Sequence, residues 1–215
     1  MGEQLYVLGD VVTQLYCTQT TLSLSSAAEP TVKALSYMTP NATLIRCKQT
    51  VAGPTAPLQI TDGTGSTDGN LIAWYSIPLT GSVTVAGAIV CNVYALESSN
   101  SMNVGLAFGV YRCDGNGAVL STVVAPATNF GAGEVSTGYA NVTLTATAGA
   151  VADTAFAAGD LVKVALFIDD AADQGGTGNM AAGGYARYTM CGNPAVGQSY
   201  LLFTEDLPGL NTPGY

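Results

Sequence analysis

The chain has 215 residues, is 48% apolar and only 10% charged, and carries a net charge of −9 with no histidine. Such a chain hides too much apolar surface to be disordered. Its six cations are too few and too scattered for a basic nucleic-acid-binding patch, and without histidine neither a Ser-His-Asp nor a Cys-His catalytic group can be assembled.

From the N-terminus, residues 1–40 form a segment of their own. Leu5 to Tyr16 is apolar without clean periodicity, Gly9-Asp10 interrupts it, and Ser25-Ser26-Ala27-Ala28-Glu29-Pro30 has the composition of a linker. This segment is expected to be either an arm reaching a neighbouring subunit or an edge strand with a loop. Residues 41–206 form the body. Its predicted strands are Thr43–Lys48, Leu58–Thr61, Leu71–Leu79, Ser82–Val85, Ala88–Leu96, Val104–Arg112, Val119–Val124, Tyr139–Thr147, Asp160–Ile168, Arg187–Cys191 and Ser199–Thr204. The clearest alternation is Val142-Thr143-Leu144-Thr145-Ala146-Thr147, with the apolar residues on one face and the threonines on the other. Val162, Val164, Leu166 and Ile168 make a second inward set, with Lys163 on the opposite face. Ile89, Cys91, Val93 and Ala95 make a third. Trp74, the single tryptophan, is expected in the core or at its rim. Turns are marked by Asp62-Gly63-Thr64-Gly65, Asp114-Gly115-Asn116-Gly117 and Ala157-Ala158-Gly159-Asp160. Residues 207–215 form a Pro/Gly-rich tail, a solvated end or a short docking peptide. No secretory leader and no membrane-spanning stretch is expected.

Five cysteines with no CxxC spacing and no histidine argue against zinc. Cys91 is expected to be a buried small hydrophobe, whereas Cys17, Cys113 and Cys191 lie nearer turns, where an intermolecular disulfide is conceivable. The carboxylates Asp169, Asp170 and Asp173 follow a strong strand and are the metal candidates, for calcium, which takes several oxygen ligands. Their spacing does not match an EF-hand, and solvated turn aspartates are the plainer explanation. The sequons at Asn41 and Asn141 are short enough to arise by chance. No motif marks a catalytic residue or a cofactor, so the expectation is that the chain is not an enzyme.

The stretch Leu71-Ile72-Ala73-Trp74-Tyr75-Ser76-Ile77-Pro78-Leu79, followed by Val83–Gly87, Ile89–Glu97, Asn100–Arg112, Phe156–Asp160, Phe167–Asp170 and Leu202–Glu205, resembles jelly-roll structural proteins of tailed bacteriophages across roughly residues 60–206. The resemblance implies an all-β protein, an antiparallel β-sandwich of jelly-roll type with an extended N-terminal segment and a short tail. It also implies a virion structural protein, a capsid decoration or minor capsid protein. Its partners would be the major capsid or tail proteins of the same virion and further copies of itself, with no nucleic acid or membrane. It would be made in the host bacterial cytoplasm and located on the virion. The same fold serves carbohydrate-binding and receptor-binding modules. That alternative would use exposed aromatics, with Tyr185 and Tyr188 in a Gly-rich region as the glycan-stacking candidates.

Overall fold

Runs of three to ten β-branched, aromatic and small residues, divided by Gly, Asn, Asp and Pro, favour strands wherever one face can be buried. In the computed structural model they form, among the described residues, thirteen: β1 (Thr13–Thr21), β2 (Val32–Ser36), β3 (Ile45–Cys47), β4 (Asn70–Tyr75), β5 (Val83–Val85), β6 (Ile89–Glu97), β7 (Val104–Cys113), β8 (Val119–Val124), β9 (Ala140–Ala146), β10 (Thr154–Phe156), β11 (Leu161–Asp170), β12 (Ala186–Met190) and β13 (Tyr200–Phe203). The structure describes residues 13–21, 24–25, 32–36, 45–47, 70–97, 104–126, 136–138, 140–170, 186–190 and 200–210. Among them there is no α-helix, and a 3₁₀ turn at Ala148–Ala150 links β9 to β10. The predicted strand at residues 58–61 and the turn at Asp62–Gly65 lie outside the described residues.

Among the described residues eleven strands form one sheet: ten follow the hydrogen-bonded path β3-β12-β6-β13-β1-β2-β4-β11-β7-β8, and β9 lies on the second edge of β6; β10 and β5 form a separate pair. The pairings are antiparallel except β2 with β4, where Val32, Lys33 and Ala34 run parallel to Ala73, Trp74 and Tyr75. Leu15 of β1, Ile89, Cys91 and Val93 of β6, Leu144 and Ala146 of β9, and Leu201 and Phe203 of β13 share one core with Trp74 of β4, Leu106, Phe108 and Val110 of β7, and Val162, Val164 and Leu166 of β11. The core therefore lies between the two halves of the path. Each large side chain buried there is worth roughly 1.5–3 kcal/mol.

Over residues 161–166 β11 is buried on both faces. Leu161, Lys163 and Ala165, opposite the main core set, are also closed off from water. Leu161 and Ala165 belong to a second cluster with Ala73, Tyr75 and Cys113, against which Leu24 packs. Cys113 is thus a buried thiol rather than a candidate for an intermolecular bond. Tyr111 lies back over Gly109, where any added Cβ would stand 2.6 Å from the tyrosine hydroxyl. The Lys163 ammonium sits 4.8 Å from the centre of the Tyr111 ring and 5.8 Å from that of Tyr75, so ring faces surround the buried cation.

The N-terminal segment departs from its expected role over residues 13–21. β1 is neither a free arm nor an edge: it lies between β13 and β2, with Thr13 and Leu15 buried. The C-terminal segment is likewise bound in over residues 207–210. Leu207 and Leu210 enter the core, the Leu207 N–H donates to Thr13 Oγ1 at 2.9 Å, and the Thr80 N–H donates to the Pro208 carbonyl at 3.0 Å.

Candidate functional site

Of the residues singled out from the sequence, the structure describes the backbone of Asp169, Asp170 and Tyr188. Asp169 and Asp170 are not in a loop: they are the last two residues of β11, paired with Gly105 and Val104 of β7. Asp173 and Tyr185 lie outside the described residues. Tyr188 falls within β12, paired with Ala95 of β6 and Cys47 of β3, so its backbone belongs to a ladder and not to a loop. Among the described residues no group of three or more His, Cys, Asp or Glu stands together to hold a metal ion.

What the fold exposes is an edge. β8 ends the sheet path and is placed by the β7–β8 hairpin. Asp114 builds that turn: its Oδ1 accepts from the N–H groups of Asn116 and Ala118, both at 2.9 Å. The turn also places Gly117 at φ 92°, a backbone conformation that suits glycine. The register then slips twice, once between Arg112 and Cys113 and once between Val110 and Tyr111. These irregularities break the alternation of a flat strand. Val119 and Leu120 are consequently both exposed, at 48% and 51%, while Val123 and Val124 are both buried. Ile77, at 54%, is the remaining exposed large apolar residue of the described part. Val124 bridges to Val151, and the Ala152 N–H donates to the Val123 carbonyl at 2.8 Å, so the far end of β8 is covered. Residues 118–124 carry no charge.

Behind this edge stands a fixed ion pair. Arg112, opposite Ser121 in the ladder, donates from Nε to Asp160 Oδ2 at 2.6 Å, and the same oxygen accepts the Ala157 N–H at 2.6 Å. Asp160 is held in turn by the backbone, since its carbonyl accepts from Leu79 N–H at 2.9 Å. Ser121 Oγ is buried with no hydrogen-bond partner among the described residues. The arrangement offers an uncharged strand edge backed by a rigid ion pair, which suits contact with another surface. Sequence reasoning placed β8 at its observed bounds but missed its exposure. The available signal was the run Ala118-Val119-Leu120, because consecutive apolar residues in a strand cannot all face inward.

No family model matches the chain, and no curated protein matches it. Among solved structures it is similar to a CocE/NonD family hydrolase from Staphylococcus aureus, with a TM-score of 0.50 and 11% identity over 90% of this chain and 36% of the hydrolase. A second similarity is to an aminopeptidase from a marine sediment Thaumarchaeota archaeon, with a TM-score of 0.47 and 12% identity, covering 90% of this chain and 37% of that one. The chain thus spans little more than a third of the length of either. At such identity the likeness is one of fold. It overturns the expectation that the chain stands apart from enzymes: its fold occurs within a hydrolase, and the absence of histidine is no ground for exclusion.

Proposed function

We propose that this chain is a virion structural protein: a jelly-roll β-domain that seats on a particle, as capsid decoration or minor capsid protein. Its partners on this reading are the major capsid or tail proteins of the virion and further copies of itself. The observation that carries it is the β8 edge, where Val119 and Leu120 stand exposed on a strand without charge. A charge-poor strand edge loses little on desolvation and can meet a flat protein surface or another strand. Mass spectrometry of purified virions, with negative-stain immunolabelling, tests it. The protein should be found in stoichiometric amounts at a repeated position on the particle, and Leu120→Asp should lower its occupancy without lowering its melting temperature. Particles that lack the protein would end this reading.

A second reading is favoured by the fold likeness. The chain corresponds to a part, 36%, of the hydrolase it is similar to, as a domain of a larger hydrolase would. On that reading the chain co-purifies with a hydrolytic partner, and the complex cleaves chromogenic ester or amide substrates. A purified chain with neither partner nor turnover would set it aside.

A further inference from the structure

The outer face of β6 and β9 carries an organised polar group that the assembly reading does not use. Asn92 of β6 points away from the main core yet is only 5% exposed. Its Nδ2 donates to Asn141 Oδ1 at 3.1 Å, and its Oδ1 accepts from Thr143 Oγ1 at 3.1 Å. Asn141 and Thr143 both lie on β9 and are exposed. Thr143 is directly opposite Asn92, and Tyr200 of β13 is opposite Asn92 on its other side. Thr145, also exposed, continues the same face of β9 about 7 Å further on, two residues along a strand.

The direction of these bonds matters. Thr143 spends its proton inward, so its oxygen faces outward as an acceptor. Asn141 spends its carbonyl oxygen inward, so its amide NH2 faces outward as a donor pair with no partner among the described residues. A nearly buried amide thus fixes two exposed side chains in set rotamers, one offering protons and one accepting them. Beside them the half-buried Tyr200 shares the face. Neither β9, nor β13, nor residues 89–96 of β6 contain a charged side chain. An uncharged face with paired donor and acceptor and a neighbouring ring matches a ligand that carries vicinal hydroxyls on one side and C–H groups on the other.

We infer that Asn141, Thr143 and Thr145, with Asn92 as the positioning residue and Tyr200 as the ring, form a binding site for a neutral glycan. Charge decides between ligand classes here: an acidic glycan or a phosphorylated ligand would find no cation in these strands, and the net charge of −9 would repel it. The site is separate from Tyr185 and Tyr188, and it does not depend on the virion reading. Its failure would leave particle location untouched.

The test uses the full chain on an array of neutral gluco-, galacto- and manno-oligosaccharides, then titration calorimetry with the strongest binder. Wild-type protein should bind. Asn141→Ala should weaken binding about tenfold and Thr143→Val about fivefold, the scale of one lost hydrogen bond each. Asn92→Leu should weaken it too, although Asn92 is positioned beneath the two exposed side chains, and melting curves will separate misplacement from unfolding. Thr145→Val removes a hydroxyl that makes no bond within the described chain, so its loss of binding keeps the test open should the other variants fail to fold. No binding by the wild type, or wild-type affinity retained by folded Asn141→Ala and Thr145→Val proteins, would overturn the site.

Discussion

At the scale of single residues, burial sets the outcomes. Leu166 is 1% exposed within the core, so Leu166→Ala should cost about 2–5 kcal/mol in urea denaturation. Thr143 is exposed but holds the Asn92 amide, so Thr143→Ala should cost about 0.5–1.5 kcal/mol, more than a bare surface change. Comparable losses at both sites would show the inner and outer faces to be wrongly assigned. Cys91 makes the alkaline prediction. Burial pushes its thiol from the ordinary 9.0 up to about 12, because the thiolate would lose its hydration. The unfolded chain sheds that proton near 9 and the folded chain near 12, so the folded state binds more protons in between. This contribution to stability is complete below pH 9 and is lost as pH rises toward about 12. Cys91→Ala should therefore lose less stability than wild type between those limits, measured as the shift in urea midpoint. A wild-type slope no steeper than that of the variant would refute the assignment.

At the scale of elements, much of the strand pattern was legible in the residues. β8 has its predicted bounds, and β6, β7, β9 and β11 lie within two residues of theirs, because each borders a turn rich in Gly, Asn or Asp, and β9 adds a clean alternation. Where alternation failed, so did the reading. β1 was hidden because Thr13-Gln14-Leu15-Tyr16 shows no clean period, and β2 and β10 also went unread. β4 ends at Tyr75 and not at Leu79, since Pro78 has no N–H to give a ladder. Beyond it Ser76 Oγ takes the place of a backbone carbonyl, accepting the Val162 N–H at 2.9 Å. The candidate site was less legible than the fold. Alternation says which residues face outward but not which outward residues a buried amide will fix, and Asn92 reads in sequence as a plain strand residue. The entry into β11 gives a further prediction. Gly159 has φ 93°, and Asp160 ties Ala157 to Arg112. Asp160→Ala leaves both donors unmet and should cost about 1–3 kcal/mol in denaturant midpoint, whereas Ala158→Ser, on the exposed turn, should stay within about 0.5 kcal/mol.

At the scale of the whole molecule, the two ends of the chain close the sheet. With β1 between β13 and β2, deleting residues 1–28 should abolish the cooperative thermal transition. Removing residues 205–215 takes away Leu207, Leu210 and the Glu205 carboxylate, whose Oε1 accepts the Ala86 and Gly87 N–H groups at 2.9 and 2.5 Å. That truncation should also be protease-sensitive in limited digestion; a truncated chain as resistant as wild type would show the closure to be ornamental. The bond between Leu207 and Thr13 joins residues 194 positions apart. On the ribosome, β1 can pair with β2 early but must wait for the far more distant β13 before its second neighbour exists. Until β13 emerges, the half-formed sheet presents an unsatisfied seam beside β1, where chaperones or a stray strand can compete. Slow folding follows from that wait, so yield in a cell should depend more on temperature and synthesis rate than on the stability of the finished protein.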